Sequence, residues 1–173
     1  MGIYSQQPFD IRTYPPPEKD IHFVVTYSPR QLFRSGFNIP VEISTASIFR
    51  EPPLSMRLSS IITLAQVDTG ASYTSIDINL AKHLNLLVMG QSESRTASGL
   101  QIMPNFAIDI NFPNTKLSPF YNVRISSCKL GFDLSKNSVT LADQNFGLLI
   151  GRDIMTRWNI IWNGPTSTVI ISD

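Results

Sequence analysis

Cysteine, histidine and charge are all scarce in this chain, and each shortage closes off a class of function. Cys128 is the single cysteine of the 173 residues, so no intramolecular disulfide can form. His22 and His83 stand alone, and no Cys/His cluster has metal-ligand spacing. A glycine loop of the kind that cradles phosphates is missing as well, so the sequence calls for neither a metal nor a nucleotide cofactor. Charged residues make up 16% of the chain and the formal net charge is +1, which leaves no basic stripe to neutralise a phosphate backbone and argues against nucleic acid as a partner. No apolar run approaches the roughly 20 residues that cross a bilayer, and the basic-then-apolar pattern of a signal peptide is absent. Gln6 occupies the position where a myristoylation site needs Ser or Thr. The expectation is a soluble, cytoplasmic protein without a membrane partner. Tandem repeats of 20 to 50 residues are lacking too.

What is present is an apolar fraction of 42%, enough in a chain of this length for one well-buried core. Residues 1–36 differ from the rest: Tyr14-Pro15-Pro16-Pro17-Glu18-Lys19-Asp20 reads as a polyproline-type spacer. This stretch is expected to be an extension that either lies along the domain or is flexible and removed, with one strand available between Ile21 and Tyr27. The domain proper is placed at 37–173. Phe37, Ile39, Val41 and Ile43 alternate with polar residues and Pro40, which predicts a half-buried strand that is either an edge strand or exposed on the proline's donor side. Phe106, Ile108, Ile110 and Phe112 repeat the alternation, and with Thr96-Ala97-Ser98-Gly99-Leu100 before them they predict a hairpin with Gly99 near its tip. Tyr121, Val123 and Ile125 give another strand. Residues 126–143 read as a long surface excursion, and a closing hairpin is expected between Ile160 and Ile171.

Two further stretches share a plan. Ile61-Ile62-Thr63-Leu64 leads into Ala65-Gln66-Val67-Asp68-Thr69-Gly70-Ala71-Ser72, followed by a short helix around Leu80, Ala81 and Leu84 with an Asp cap. Phe146-Gly147-Leu148-Leu149-Ile150-Gly151 leads into a second short helix with Ile154, Met155 and Trp158 on one face. Each is an apolar strand, a glycine turn and a helix; only the first carries an aspartate at the turn. Taken alone, Asp68 is equally a turn residue whose side chain bonds its own backbone, Arg152 and Asp153 are a solvated helix start, and His83 is a solvated helix residue.

Val67-Asp68-Thr69-Gly70-Ala71-Ser72, the Ser98-Gly99 hairpin tip and Leu149-Ile150-Gly151-Arg152-Asp153, in this order, resemble the retropepsin-like (retroviral-type) aspartic protease family. The resemblance implies an all-β fold: a closed, mostly antiparallel acid-protease-like barrel with a flap hairpin, a ψ loop and one or two short helices. It also implies an aspartic endopeptidase. Peptide hydrolysis by an activated water needs one carboxylate to accept a proton and a second, protonated one to donate to the carbonyl oxygen. Two carboxylates about 3 Å apart share one proton. This chain has one Asp-Thr-Gly, so the resemblance implies a homodimer with an Asp68 from each copy meeting on the two-fold axis, acting on a peptide or protein substrate. Asp68, Thr69 and Gly70 would be the catalytic loop; Ala71, Ser72, Ala97, Ser98 and Gly99 would contact substrate or form the flap. Leu149, Ile150, Gly151 and Arg152 would support the site from behind, with Arg152 tying the late helix to the dimer interface. Ala71 lacks the hydroxyl that some relatives place there to favour the charged carboxylate, which implies activity reaching into mildly acidic or near-neutral pH. The alternative is a catalytically silent retropepsin-fold dimerisation or peptide-binding module.

Overall fold

The computed structural model describes residues 22–28, 32, 36–49, 60–96, 99–136 and 145–173. Its strands are β1 (Phe23–Thr26), β2 (Phe37–Thr45), β3 (Ser60–Val67), β4 (Ser75–Asp77), β5 (Gly90–Thr96), β6 (Gly99–Asn111), β7 (Phe120–Cys128), β8 (Phe146–Ile150), β9 (Asn159–Asn163) and β10 (Thr168–Ser172). Two short helices, α1 (Ile78–His83) and α2 (Arg152–Met155), follow β4 and β8.

The larger sheet runs β2-β3-β8-β4-β7-β6-β5, and β2 also pairs with β6, so β2, β3, β8, β4, β7 and β6 form a closed ring from which the β5–β6 hairpin projects. The pairings are antiparallel except β3 with β8 and β4 with β7, as expected for a closed, mostly antiparallel barrel. Closure leaves the ring itself without the edges that would otherwise be open to foreign strands.

The alternating residues of β2 fill the barrel: Phe37, Ile39, Val41 and Ile43 are all at most 2% exposed, packed with Ile76, Leu80, Ile108, Ile110, Leu148 and Ile150. Pro40 is tolerated because β6 pairs with β2 only from Glu42 to Thr45, so the missing N–H falls where β3 is the single neighbour. The polar face of β6 is less solvated than alternation alone predicts. Asn105 and Asp109 are buried; Asp109 accepts the Asn122 N–H (2.7 Å) and the Ser47 N–H (3.3 Å) of the turn that closes β2 over it.

Part of the stretch expected to be an extension lies in the fold. β1 pairs antiparallel with β10, which pairs with β9, and Tyr27 is buried with its hydroxyl donating to the Asn38 carbonyl at 2.6 Å. The Phe112, Phe120 and Trp158 rings, packed edge-on, join the smaller sheet's end of the chain to the barrel.

The excursion after residue 126 is more ordered than its composition suggests. β7 continues to Cys128, and the following turn is held by Asp77, which is 1% exposed. One Asp77 oxygen caps α1 through the Asn79 N–H (2.8 Å); the other accepts the N–H groups of Leu130, Gly131 and Phe132 at 2.7, 3.1 and 3.3 Å. Residues 137–144 lie outside the described set, as do residues 50–59 between β2 and β3. Among the described residues, no helix is long and apolar enough to cross a membrane.

Candidate active site

The two similar stretches of sequence meet as neighbouring strands. β3 and β8 run parallel, with Ala65 beside Leu148, Gln66 beside Leu149 and Val67 beside Ile150. β8 also pairs with β4 on its other side, so it passes between the two strands that the Asp68 loop connects, which is the ψ arrangement. The threading strand has to be thin in places. At Gly147, an added Cβ would lie 2.5 Å from Leu80 Cδ2 and 2.7 Å from Thr63 Cγ2.

Residues 150–153 then act as a template for the loop. The Asp68 N–H donates to the Ile150 carbonyl (3.0 Å), the Arg152 N–H to the Ala71 carbonyl (3.0 Å) and the Asp153 N–H to the Ser72 carbonyl (3.3 Å). At Gly151 an added Cβ would sit 2.5 Å from the Tyr73 carbonyl carbon and 2.9 Å from the Thr74 nitrogen, so the loop backbone rests directly on this glycine. The Arg152 guanidinium, exposed on the surface, donates to the Thr69 carbonyl (2.9 Å) and to Ser72 Oγ (2.8 Å). Sequence resemblance assigns Arg152 to a dimer interface; within one chain its bonds run to the Asp68 loop itself.

Asp68 sits just past the end of β3, half-buried, at the start of a tight turn in which the Ala71 N–H returns to the Asp68 carbonyl (3.1 Å). Its Oδ1 accepts the Gly70 N–H at 2.8 Å. A Cβ on Gly70 would lie 3.1 Å from that same oxygen, so any other residue there would push on the carboxylate. The Asx-type bond anticipated for an ordinary turn aspartate is therefore present, and here it fixes the carboxylate in a loop whose Thr69, Gly70, Ser72 and Tyr73 are exposed. Ala71 is half-buried. Ile150 and Gly151 are buried and Leu149 is half-buried in β8 behind the loop.

Gly99 opens β6 opposite Thr96 with φ +108°, a backbone conformation that glycine adopts without strain. Ala97 and Ser98 of the expected flap lie outside the described residues. Leu100 and Ile102 on the same arm are 63% and 66% exposed, large apolar side chains presented to solvent near the hairpin tip.

Thr74 has no signal in the sequence, and Asp153 enters there only as the end of the second motif and as a solvated helix start. Both Asp153 oxygens accept the Thr74 N–H (3.0 and 2.9 Å), and Oδ1 also accepts the Thr74 hydroxyl at 2.7 Å. In sequence Asp153 has the ordinary look of a carboxylate in a first helical turn, and nothing local signals its partner 79 residues away. Cys128 is remote in role. Burial, helped by the nearby Asp77 charge, pushes its thiol up to about 12, so it is a poor nucleophile. Among the described residues, no group of three or more His, Cys, Asp or Glu side chains could hold a metal ion.

In comparisons with known proteins, no family model and no curated protein matches the chain. Among solved structures it is similar to a retropepsin-like aspartic protease from Rickettsia conorii, with a TM-score of 0.48 and 15% identity over 87% of this chain and 89% of that one.

Proposed function

We propose that this chain is an aspartic endopeptidase whose active unit is a homodimer. The observation that carries the reading is the presentation of Asp68: a half-buried carboxylate fixed at the head of a templated turn, with exposed Thr69 and Gly70 beside it. One copy presents one carboxylate, and the chemistry needs two. In the dimer the paired Asp68 side chains would share a proton. The ionised one takes a proton from water as its oxygen attacks the scissile carbonyl carbon, and the protonated one donates to the carbonyl oxygen. The tetrahedral intermediate then collapses with proton transfer to the leaving nitrogen, giving an acid and an amine. The β5–β6 hairpin, with Leu100 and Ile102 near its tip, would close over an extended peptide and exclude water.

Asp68→Asn tests this directly. The carboxamide keeps an acceptor for the Gly70 N–H but cannot serve as the base. Cleavage of a broad peptide library by the unmodified chain, lost in D68N while the dimer persists in sedimentation, is the expected result. Absence of cleavage by the unmodified dimer between pH 4 and 8 would favour a silent dimerisation or peptide-binding module.

A further inference from the structure

We infer that Asp153 and Thr74 are positioning residues for the Asp68 loop, a polar clamp that fixes where the loop ends and thereby where its carboxylate points. The loop is held at entry by the β3–β8 pairing and the Asp68 N–H bond to Ile150. At its exit, Thr74 is 1% exposed and joins two other groups. Its Oγ accepts the N–H of buried Gly151 at 3.1 Å, so the hydroxyl's single proton is directed to Asp153 Oδ1 at 2.7 Å. The Thr74 N–H lies between both carboxylate oxygens. Asp153 Oδ1 also accepts the Ile154 N–H at 2.9 Å, which seats the carboxylate on α2.

This arrangement specifies the residue types. Position 153 must present acceptors to an N–H and an O–H at once, and a carboxylate has two acceptor oxygens where a carboxamide has one. Position 74 must accept and donate through one atom, which a hydroxyl does and a methyl cannot. The residues between the two anchors, Thr69, Gly70, Ser72 and Tyr73, are exposed; the Arg152 and Asp153 N–H bonds to the Ala71 and Ser72 carbonyls hold the middle of the loop, and the clamp sets where it ends. The Arg152 guanidinium reinforces the middle, yet its bonds lie at the surface where solvent competes. The clamp, by contrast, involves a buried threonine whose N–H and hydroxyl would otherwise lose their partners.

The kinetic test rests on the endopeptidase reading. With a peptide that the unmodified enzyme cleaves and D68N does not, kcat and KM are measured for Asp153→Ala, Asp153→Asn, Thr74→Val and Thr74→Ser, normalised to folded dimer by sedimentation. D153A and T74V are expected to lower kcat between tenfold and about a hundredfold, the scale of a misplacement near 1 Å, with KM changed less than about twofold. T74S should stay within about threefold of the unmodified enzyme, and D153N should fall between, because its amide nitrogen faces another donor. Unchanged kcat per dimer in D153A, or T74S as impaired as T74V, overturns the inference. A loss of melting temperature with kcat intact would likewise reduce the clamp to a stability element and overturn it. If D153A does not fold, the Thr74 pair decides. If the unmodified chain cleaves nothing, the endopeptidase reading fails separately. Hydrogen exchange then reads the clamp: faster exchange of the Thr74 and Gly151 amides in D153N or T74V, with β2 and β6 amides unchanged, supports it, and unchanged protection at both overturns it.

Discussion

Gly151→Ala is the smallest change that tests whether the Asp68 loop is built on β8. The added methyl would sit 2.5 Å from the Tyr73 carbonyl carbon, 2.7 Å from its oxygen and 2.9 Å from the Thr74 nitrogen. All three are backbone atoms, so no side chain can swing away. Restoring ordinary contact at about 3.5 Å needs the loop and the strand to part by about 1 Å. Overpacking of this kind costs about 1–3 kcal/mol, and here parting the loop from the strand would also strain the Gly151 N–H bond to Thr74 Oγ and the Asp153 bonds beyond it. A drop of several degrees in melting temperature is expected for a domain of this size. On the endopeptidase reading, a 1 Å displacement of the carboxylate lowers turnover by about a hundredfold. Gly164→Ala is the control, because a Cβ there meets nothing within 4 Å. Thermal melting and peptide cleavage of both variants, side by side, make the assay. A Gly151→Ala protein that melts and cleaves like Gly164→Ala would refute the account of β8 as the loop's support.

Two further outcomes follow from groups away from the loop. Asp77→Ala removes the α1 cap and the acceptor for three N–H groups after β7, and should destabilise by about 3 kcal/mol in urea titration; Asp77→Asn should recover part of that. Cys128, whose thiol is raised to about 12 in the fold, should resist maleimide at pH 8 in the native protein and react once unfolded. The sign of its linkage is set by the unfolded chain ionising first: as pH rises from the ordinary thiol range toward 12, the unfolded state loses the proton and stability falls, by at most about 1.4 kcal/mol per pH unit. Cys128→Ala should flatten that slope.

Local pattern determined much of this protein. Alternation in Phe37–Ile43 and Phe106–Phe112 located barrel strands and their inward faces, because a period of two is imposed by the strand backbone whatever surrounds it. Asp68-Thr69-Gly70 and Leu149-Ile150-Gly151 were legible as a pair of strand-and-turn units, and Asp77 as a cap, since each rests on near neighbours in sequence. What the sequence could not supply was the partner of any group bonded across the fold. Asp153 had the composition of a helix start, and only the passage of β8 between β3 and β4 brings it to Thr74. Asp77 serves a turn more than fifty residues later, Asp109 lies beneath the turn that follows β2, and β1 finds β10 at the far end of the chain. Hydrogen bonds of this kind depend on where closure places two backbones, and the barrel's topology, more than any residue's own preference, decides it.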